Sequence, residues 1–296
     1  MAVRFGVCLP NFGNNSAPEA IRLVAVKAEE LGYHSIWATD HVALPSKHGY
    51  PYGRIYELLT TMAYVAPLTK RIMIGSSVLI LPRRNPLRTA KTLASIDSLS
   101  RGRVIAGFGA GWAREEFENL GAGFSDRGRR FDEALQLVKL MWQGGRFSFE
   151  GRYYRVVDGI AEPAPAQRDG PPIWIGGNSV RAYRRALKYG HGWHFTGLPV
   201  ADVVQRLSSH QSAKDFTVSG RFTVDLNGRT PKITRSPVGE VRQMISGKHV
   251  EVVELISQYI GAGVGYFVCY FGDKPAERYV DDMRAFISEV VPSLTV

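Results

Sequence analysis

Apolar positions along the chain alternate between short, densely apolar blocks and longer stretches in which they recur about every 3.6 residues. Residues 3–9 (VRFGVCL) read as a buried strand that Pro10, Asn11 and Gly13 end. Ser16, Pro18 and Glu19 then open a helix in which Ile21, Val24, Ala25, Ala28 and Leu31 share a face until Gly32 stops it. The unit repeats. A strand over 34–39 precedes a helix over 56–65 that Pro67 ends, a strand over 72–81 precedes a helix opened by Pro86, and 103–108 is a fourth strand. Further strands over 173–176, 193–196, 216–226 and 266–270 alternate with helices over 179–189 and 201–210 and a closing helix.

Strands alternating with helices imply a parallel sheet, and eight such units predict a (β/α)8 TIM barrel, an α/β fold, in preference to an open doubly wound sheet. The whole of 1–296 reads as a single barrel domain. Residues 112–172, between the fourth and fifth strands, are more than one helix needs and predict an insertion over the active-site end. In such barrels function sits in the loops that follow the strands, which here hold Asn11, Asp40, His41, Ser77, Val78, Gly109, Ala110, Gly111, Trp112, Gly176, Gly177, Asn178, Ser179 and Gly197.

Within that set, the glycines of GFGAGW end the fourth strand, where they let a ligand or another backbone approach closely. A barrel turn needs glycine as well, and the spacing is not the full dinucleotide fingerprint. Gly176-Gly177-Asn178-Ser179 lies between a strand and a helix, so free amides and the helix dipole would face an anion, while Ser179 also suits the N-cap. Asp40 and His41 close the second strand, where a carboxylate and an imidazole can bind a ring edge or move protons, or simply cap a turn and pack. HExxH, a Walker glycine loop and a nucleophile elbow are missing, which disfavours metalloprotease, P-loop and α/β-hydrolase chemistry.

Composition narrows the partners. The 296 residues are 45% hydrophobic and 22% charged, enough to bury a large core, and lack any uninterrupted apolar run of membrane-spanning length or a leader-like start. This predicts a cytoplasmic protein with no membrane partner. Cys8 and Cys269 sit in apolar strands without metal-ligand spacing, so reduced buried thiols and no metal are expected. The net charge of +10 could attract nucleic acid, an anionic membrane surface or an acidic small molecule, and alone does not choose among them. Its arginines come as scattered pairs (Arg83-Arg84, Arg129-Arg130, Arg184-Arg185) with no long basic run, which predicts no nucleic-acid partner.

The segments FGVCLPNFG, SIWATDHVALP, IMIGSSVLILPRRNPLRTAKTLASIDSLSRGRVIAGFGAGW, RGRRFDEAL and PPIWIGGNS together resemble the luciferase-like monooxygenase superfamily, in particular its F420-dependent oxidoreductases. The resemblance implies an oxidoreductase that moves a hydride between the deazaflavin coenzyme F420 and a small organic substrate, and a homodimer. It places the cofactor ring at the barrel mouth and the phosphate tail at the loops after the fourth and fifth strands. Asp40 matches a position contacting the deazaflavin. Ser77-Val78 matches the bulged third strand whose non-proline cis peptide supports the ring. Gly109, Ala110, Gly111, Gly176, Gly177 and Asn178 match tail-binding backbone, with Ser179 beside them. His41 matches the catalytic histidine of the sugar-phosphate-oxidising members, but Trp112 stands where those carry a glutamate, so that substrate class is not expected. Two other functions fit the same barrel: an FMN-dependent monooxygenase, and a silent barrel that only binds a cofactor. The anionic oligoglutamate tail of F420 suits the basic charge.

Overall fold

The computed structural model describes residues 3–209 and 215–294. Eight parallel strands close on themselves: β1 (Arg4–Cys8), β2 (Ser35–Ala38), β3 (Met73–Ser76), β4 (Val104–Gly109), β5 (Ile173–Gly176), β6 (Gly192–Thr196), β7 (Thr217–Asp225) and β8 (Tyr266–Tyr270). Each pairs with the next in sequence, and β8 returns to β1 through Arg4 with Tyr266 and Val7 with Cys269. The TIM barrel expected from the repeat is the fold observed. The helix expected over 201–210 is seen as Val200–Ser208, and His210 lies outside the described residues.

Two expectations change. The third strand is not continuous over 72–81: β3 ends at Ser76, residues 77 and 78 bulge, and Leu79–Ile80 resumes pairing with β4 before the 3-10 turn Leu81–Arg83. Residues 112–172 are not one insertion. Only the stretch from Trp112 through Phe124 to Arg127 lies by the barrel mouth, and beyond Arg127 the helix Arg127–Trp142 packs on Pro86–Leu99 as an ordinary barrel helix. A hairpin, Arg146–Glu150 with Arg155–Ile160, then folds back along it, where Glu133 accepts the amides of Arg152, Tyr153 and Tyr154. The apolar face of this helix turns to the core, with Phe131, Leu135, Val138 and Met141 buried.

The barrel's interior is filled, which leaves the strand ends as the place for a ligand. Cys8, Trp37, Ile105, Trp174, Tyr266 and Val268 form an inner cluster, and the Trp37 and Trp174 rings stack with centroids 5.1 Å apart. Trp37 fits only because β3 presents glycine to it. A Cβ on Gly75 would stand 2.3 Å from the Trp37 ring. No helix among the described residues is long and apolar enough to cross a membrane.

Gly75→Ala should therefore overpack the barrel and cost about 1–3 kcal/mol, read as a lower urea midpoint. Wild-type stability in that variant would contradict the close fit around Trp37.

Candidate active site

At the C-terminal ends of the strands lies a cavity of about 570 Å³ whose wall includes every residue singled out above for cofactor binding or catalysis: Asp40, His41, Ser77, Val78, Gly109, Ala110, Gly111, Gly176, Gly177, Asn178 and Ser179. The side chains and amides in that wall do different jobs.

Its floor is the β3 bulge. The Ser77-Val78 peptide is cis, as the resemblance implies. Val78 drives its two methyls into a notch left by glycines at the ends of β4 and β5: a Cβ on Gly109 would come within 2.6 Å of one methyl, and a Cβ on Gly176 within 2.7 Å of the other. Two glycines read as ligand-approach positions thus also make room for a side chain. Ser77 is held from three directions. Its amide donates to Ala38 O (2.8 Å), its carbonyl accepts from Arg221 Nη1 (3.1 Å), and its hydroxyl meets His194 Nε2 at 2.9 Å. His194 Nδ1 in turn meets Ser219 Oγ at 2.9 Å, and the imidazole lies flat against Trp37. Burial, aided by the Arg221 charge, depresses His194 to about 3, so it is neutral at any ordinary pH.

One wall is a buried charge lattice. Asp40 Oδ2 accepts from Ile80 N (2.9 Å) and pairs with Arg83 Nη2 (2.9 Å), while Oδ1 accepts from Arg84 Nη2 at 2.7 Å. Burial alone would raise the Asp40 pKa, but Arg83 and Arg84 outweigh it and hold the carboxyl below its ordinary value. Both Asp40 oxygens are therefore committed to protein partners. Arg83, its side chain fully buried, bridges from Asp40 to Glu116, and Arg84 reaches on to Glu57 (2.9 Å). Glu116 accepts the Val42 amide on Oε1 (2.6 Å) and faces His41 Nδ1 with Oε2 at 3.0 Å. Against the cost of its burial, the His41 hydrogen bond and the Arg83 charge keep Glu116 below the usual carboxylate range.

His41 consequently has a carboxylate partner even though Trp112 replaces the expected glutamate. With Nδ1 turned to Glu116, Nδ1 carries the proton and Nε2 is the basic nitrogen, an assignment made from the hydrogen bond itself. Tyr52 packs against the ring at 4.6 Å and Trp112 meets it edge-on at 5.7 Å. Glu116 was legible only as one of two glutamates in REEF; the available signal was its place within a turn of the β4 loop, next to the buried Phe117.

The opposite end is basic. The Gly177 amide is not free, since it donates to His194 O at 3.1 Å, but the amides of Asn178, Ser179 and Val180 have no partner among the described residues and open the helix Val180–Tyr189. The Asn178 side chain does not face inward as a ligand group: its amide brackets Thr196 N and O, both at 2.9 Å, and braces the turn. Ser179 Oγ caps the helix through Ala182 N at 3.2 Å. Across from these amides Arg127 donates to Gly111 O (3.1 Å) and stacks on Phe124 (3.8 Å), with Arg114 on the same ring. Burial, then repulsion from Arg114, Arg181 and Arg185, lowers the Arg127 pKa. Of these four arginines only Arg185 has a carboxylate partner among the described residues, Asp132. Unpartnered amides beside crowded guanidiniums form an anion cradle.

A filled parallel barrel with a bulged third strand, a histidine–carboxylate pair and an anion cradle at one mouth defines a cofactor-binding barrel. The sequence profile described as "Luciferase-like monooxygenase" matches residues 3–221, and the chain belongs to that family. Over 173 residues it is 38% identical to the F420-dependent glucose-6-phosphate dehydrogenase of Amycolatopsis mediterranei (57% of this chain, 50% of that protein). Over 209 residues it is 34% identical to the enzyme of the same name from Kineococcus radiotolerans (69% and 60%). The match thus spans half to three fifths of those relatives' length. An F420-dependent secondary alcohol dehydrogenase, solved in complex with an F420-acetone adduct, superposes with a TM-score of 0.81 over 100% of both chains at 17% identity, which shows the shared fold.

The His194 pKa of about 3 fixes the sign of a pH effect. Unfolded imidazole titrates near ~6.5, so as pH falls below that the unfolded chain takes up a proton the folded chain refuses. Stability should decline from about pH 6.5 downward by up to about 1.4 kcal/mol per pH unit from this group. The depressed Asp40 and Glu116 carboxyls add their own loss only below about pH 4. Urea melts from pH 7 to 5 should show the decline, and His194→Gln should make it shallower, the lowered His34 and His191 keeping the remainder; an unchanged slope in that variant would rule the assignment out.

Proposed function

We propose that the chain is an oxidoreductase that binds coenzyme F420 in the 570 Å³ cavity and transfers a hydride between it and a small organic substrate. The observation that carries this reading is the surplus of positive charge at the cradle. One phosphate, as in FMN, would occupy the free amides of Asn178, Ser179 and Val180. Arg114, Arg127 and Arg181, without carboxylate partners among the described residues, suit the further negative charges of an oligoglutamate tail.

The residues fit the group. The three amides and the arginines would hold the tail, and Val78 with the Ser77 hydroxyl would support the ring. When bound, the deazaflavin supplies a carbon that accepts or gives up hydride and reacts poorly with oxygen. The chain's own part in the chemistry is proton handling. When a hydride leaves a carbon that bears a hydroxyl, a proton must leave the oxygen, and His41 Nε2 takes it. Glu116, bound to Nδ1, fixes the ring and stabilises the imidazolium that results. In the reverse direction the same Nε2 returns the proton. Trp112 and Tyr52 wall off His41 from water, which strengthens the pair.

Parallel titrations with F420 and FMN, followed by ring fluorescence, should give markedly tighter binding of F420. Equal affinity, or FMN retained on purification, would favour the monooxygenase alternative. Gly177→Asp places a carboxylate at the cradle, next to the free amides, and should weaken F420 by about 1.5–3 kcal/mol, roughly ten- to a hundredfold. His41→Ala should lower turnover about 10²–10⁴-fold while cofactor affinity holds. Turnover undiminished by that change would remove His41 from the mechanism.

A further inference from the structure

A second cavity, of about 440 Å³, opens from the first, and Tyr52, Thr196, Arg221, Ser236, Pro237 and Arg242 line both. Its wall is aromatic. Phe12 and Tyr270 stack with centroids 5.1 Å apart, and Tyr52 packs on Phe12 at 5.3 Å. Tyr52 also touches His41, so this wall begins where the proton-transfer group ends.

Two guanidiniums stand at the junction. Arg221 lies over Phe12 (5.5 Å) and Tyr270 (5.9 Å) and donates to the Ser77 carbonyl, the first residue of the bulge. Arg242, on the short strand Val241–Gln243, has a buried Nε without a hydrogen-bond partner. Neither forms an ion pair among the described residues. Glu240 lines the first cavity but does not pair with Arg242, and Lys47, which lines the second, is already engaged by Glu115. Burial lowers Arg242 from the ordinary guanidinium value, Tyr52 and Glu240 oppose that shift, and the Arg221 charge adds a smaller push in the same direction as burial. Two neighbouring, half-buried cations that form no ion pair of their own among the described residues, with only the Glu240 carboxylate acting on Arg242 at longer range, invite a ligand that brings a counter-charge. Carboxylate is the group whose geometry matches the guanidinium fork, and stacked rings favour a flat, apolar body.

We propose that the second cavity is the substrate chamber and that the substrate is a small organic acid, its aromatic or conjugated body against Phe12, Tyr52 and Tyr270 and its carboxylate at Arg221 and Arg242. The proposal rests on reading the first cavity as the cofactor's. In that arrangement the acid's body lies beyond Tyr52, which packs on His41, and its carboxylate meets Arg221, which also holds the Ser77 carbonyl of the bulge.

Calorimetric titration of the cofactor-free protein tests it, with benzoate, cinnamate and 2-naphthoate each run beside its amide, and with inorganic phosphate. At least one acid should bind at least tenfold more tightly than its amide and than phosphate. Arg242→Gln should erase that preference, and Arg242→Lys should keep part of it. Should every acid bind no better than its amide, the carboxylate site is refuted, and phosphate binding as tightly as the best acid would refute the flat body. F420 titrations on the same protein fail or succeed separately: acid binding without F420 binding would sink the cofactor reading and leave the acid site standing.

Discussion

Arg83 sits where three loops meet, and its guanidinium is what fastens them. The loop after β2 contributes Asp40, the turn after the broken third strand contributes Arg83 itself, and the short helix after β4 contributes Glu116. A charge so fully buried survives only with both carboxylates in place, because removing one partner of a buried pair costs about 3–5 kcal/mol. The orientation of His41 follows from it. Glu116 is pinned by Arg83 and by the Val42 amide, and only a pinned carboxylate can hold the imidazole with one chosen nitrogen facing the cavity.

From that fixed corner the rest of the mouth divides by charge. Toward the helix Val180–Tyr189 lie free amides and arginines suited to a long anion; toward β7 and β8 lie stacked rings with two arginines at their edge. Between them rises the Ser77-Val78 bulge. Both ends are basic, but they differ in what surrounds the charge: peptide N–H groups at one, aromatic faces at the other. The net charge of +10 that attracted no single interpretation from composition is in part spent here, at two ends of one crevice.

The barrel was legible because each of its eight units carries its own period and its own stop signals, such as Gly32, Pro67 and Pro86, and needs no long-range information. The bulge in the third strand was not visible in the apolar run IMIGSSVLIL, whose pattern stays strand-like throughout; only the resemblance pointed to it. The helix Arg127–Trp142 was mistaken for part of an insertion because the hairpin after it lengthens the connection, and length alone does not say which part packs on the sheet. Site residues that end strands, such as Asp40, His41 and Gly177, could be found from position. Arg242 could not, and Glu116 only faintly, since their importance lies in contacts made with other loops. His194 and Arg221 did leave a trace: each is a polar residue at an alternate, inward position of a strand whose other inward neighbours are small.

His194 carries one more consequence. A neutral imidazole between two hydroxyls has two proton arrangements that satisfy the same pair of hydrogen bonds. In one, Ser77 gives its hydrogen to the ring and turns only lone pairs toward the cavity; in the other, the ring gives its hydrogen to Ser77, whose own hydrogen then points outward. Net charge is the same in both. The floor of the crevice is thus amphoteric, able to meet an occupant as acceptor or as donor while the barrel beneath it stays electrically unchanged.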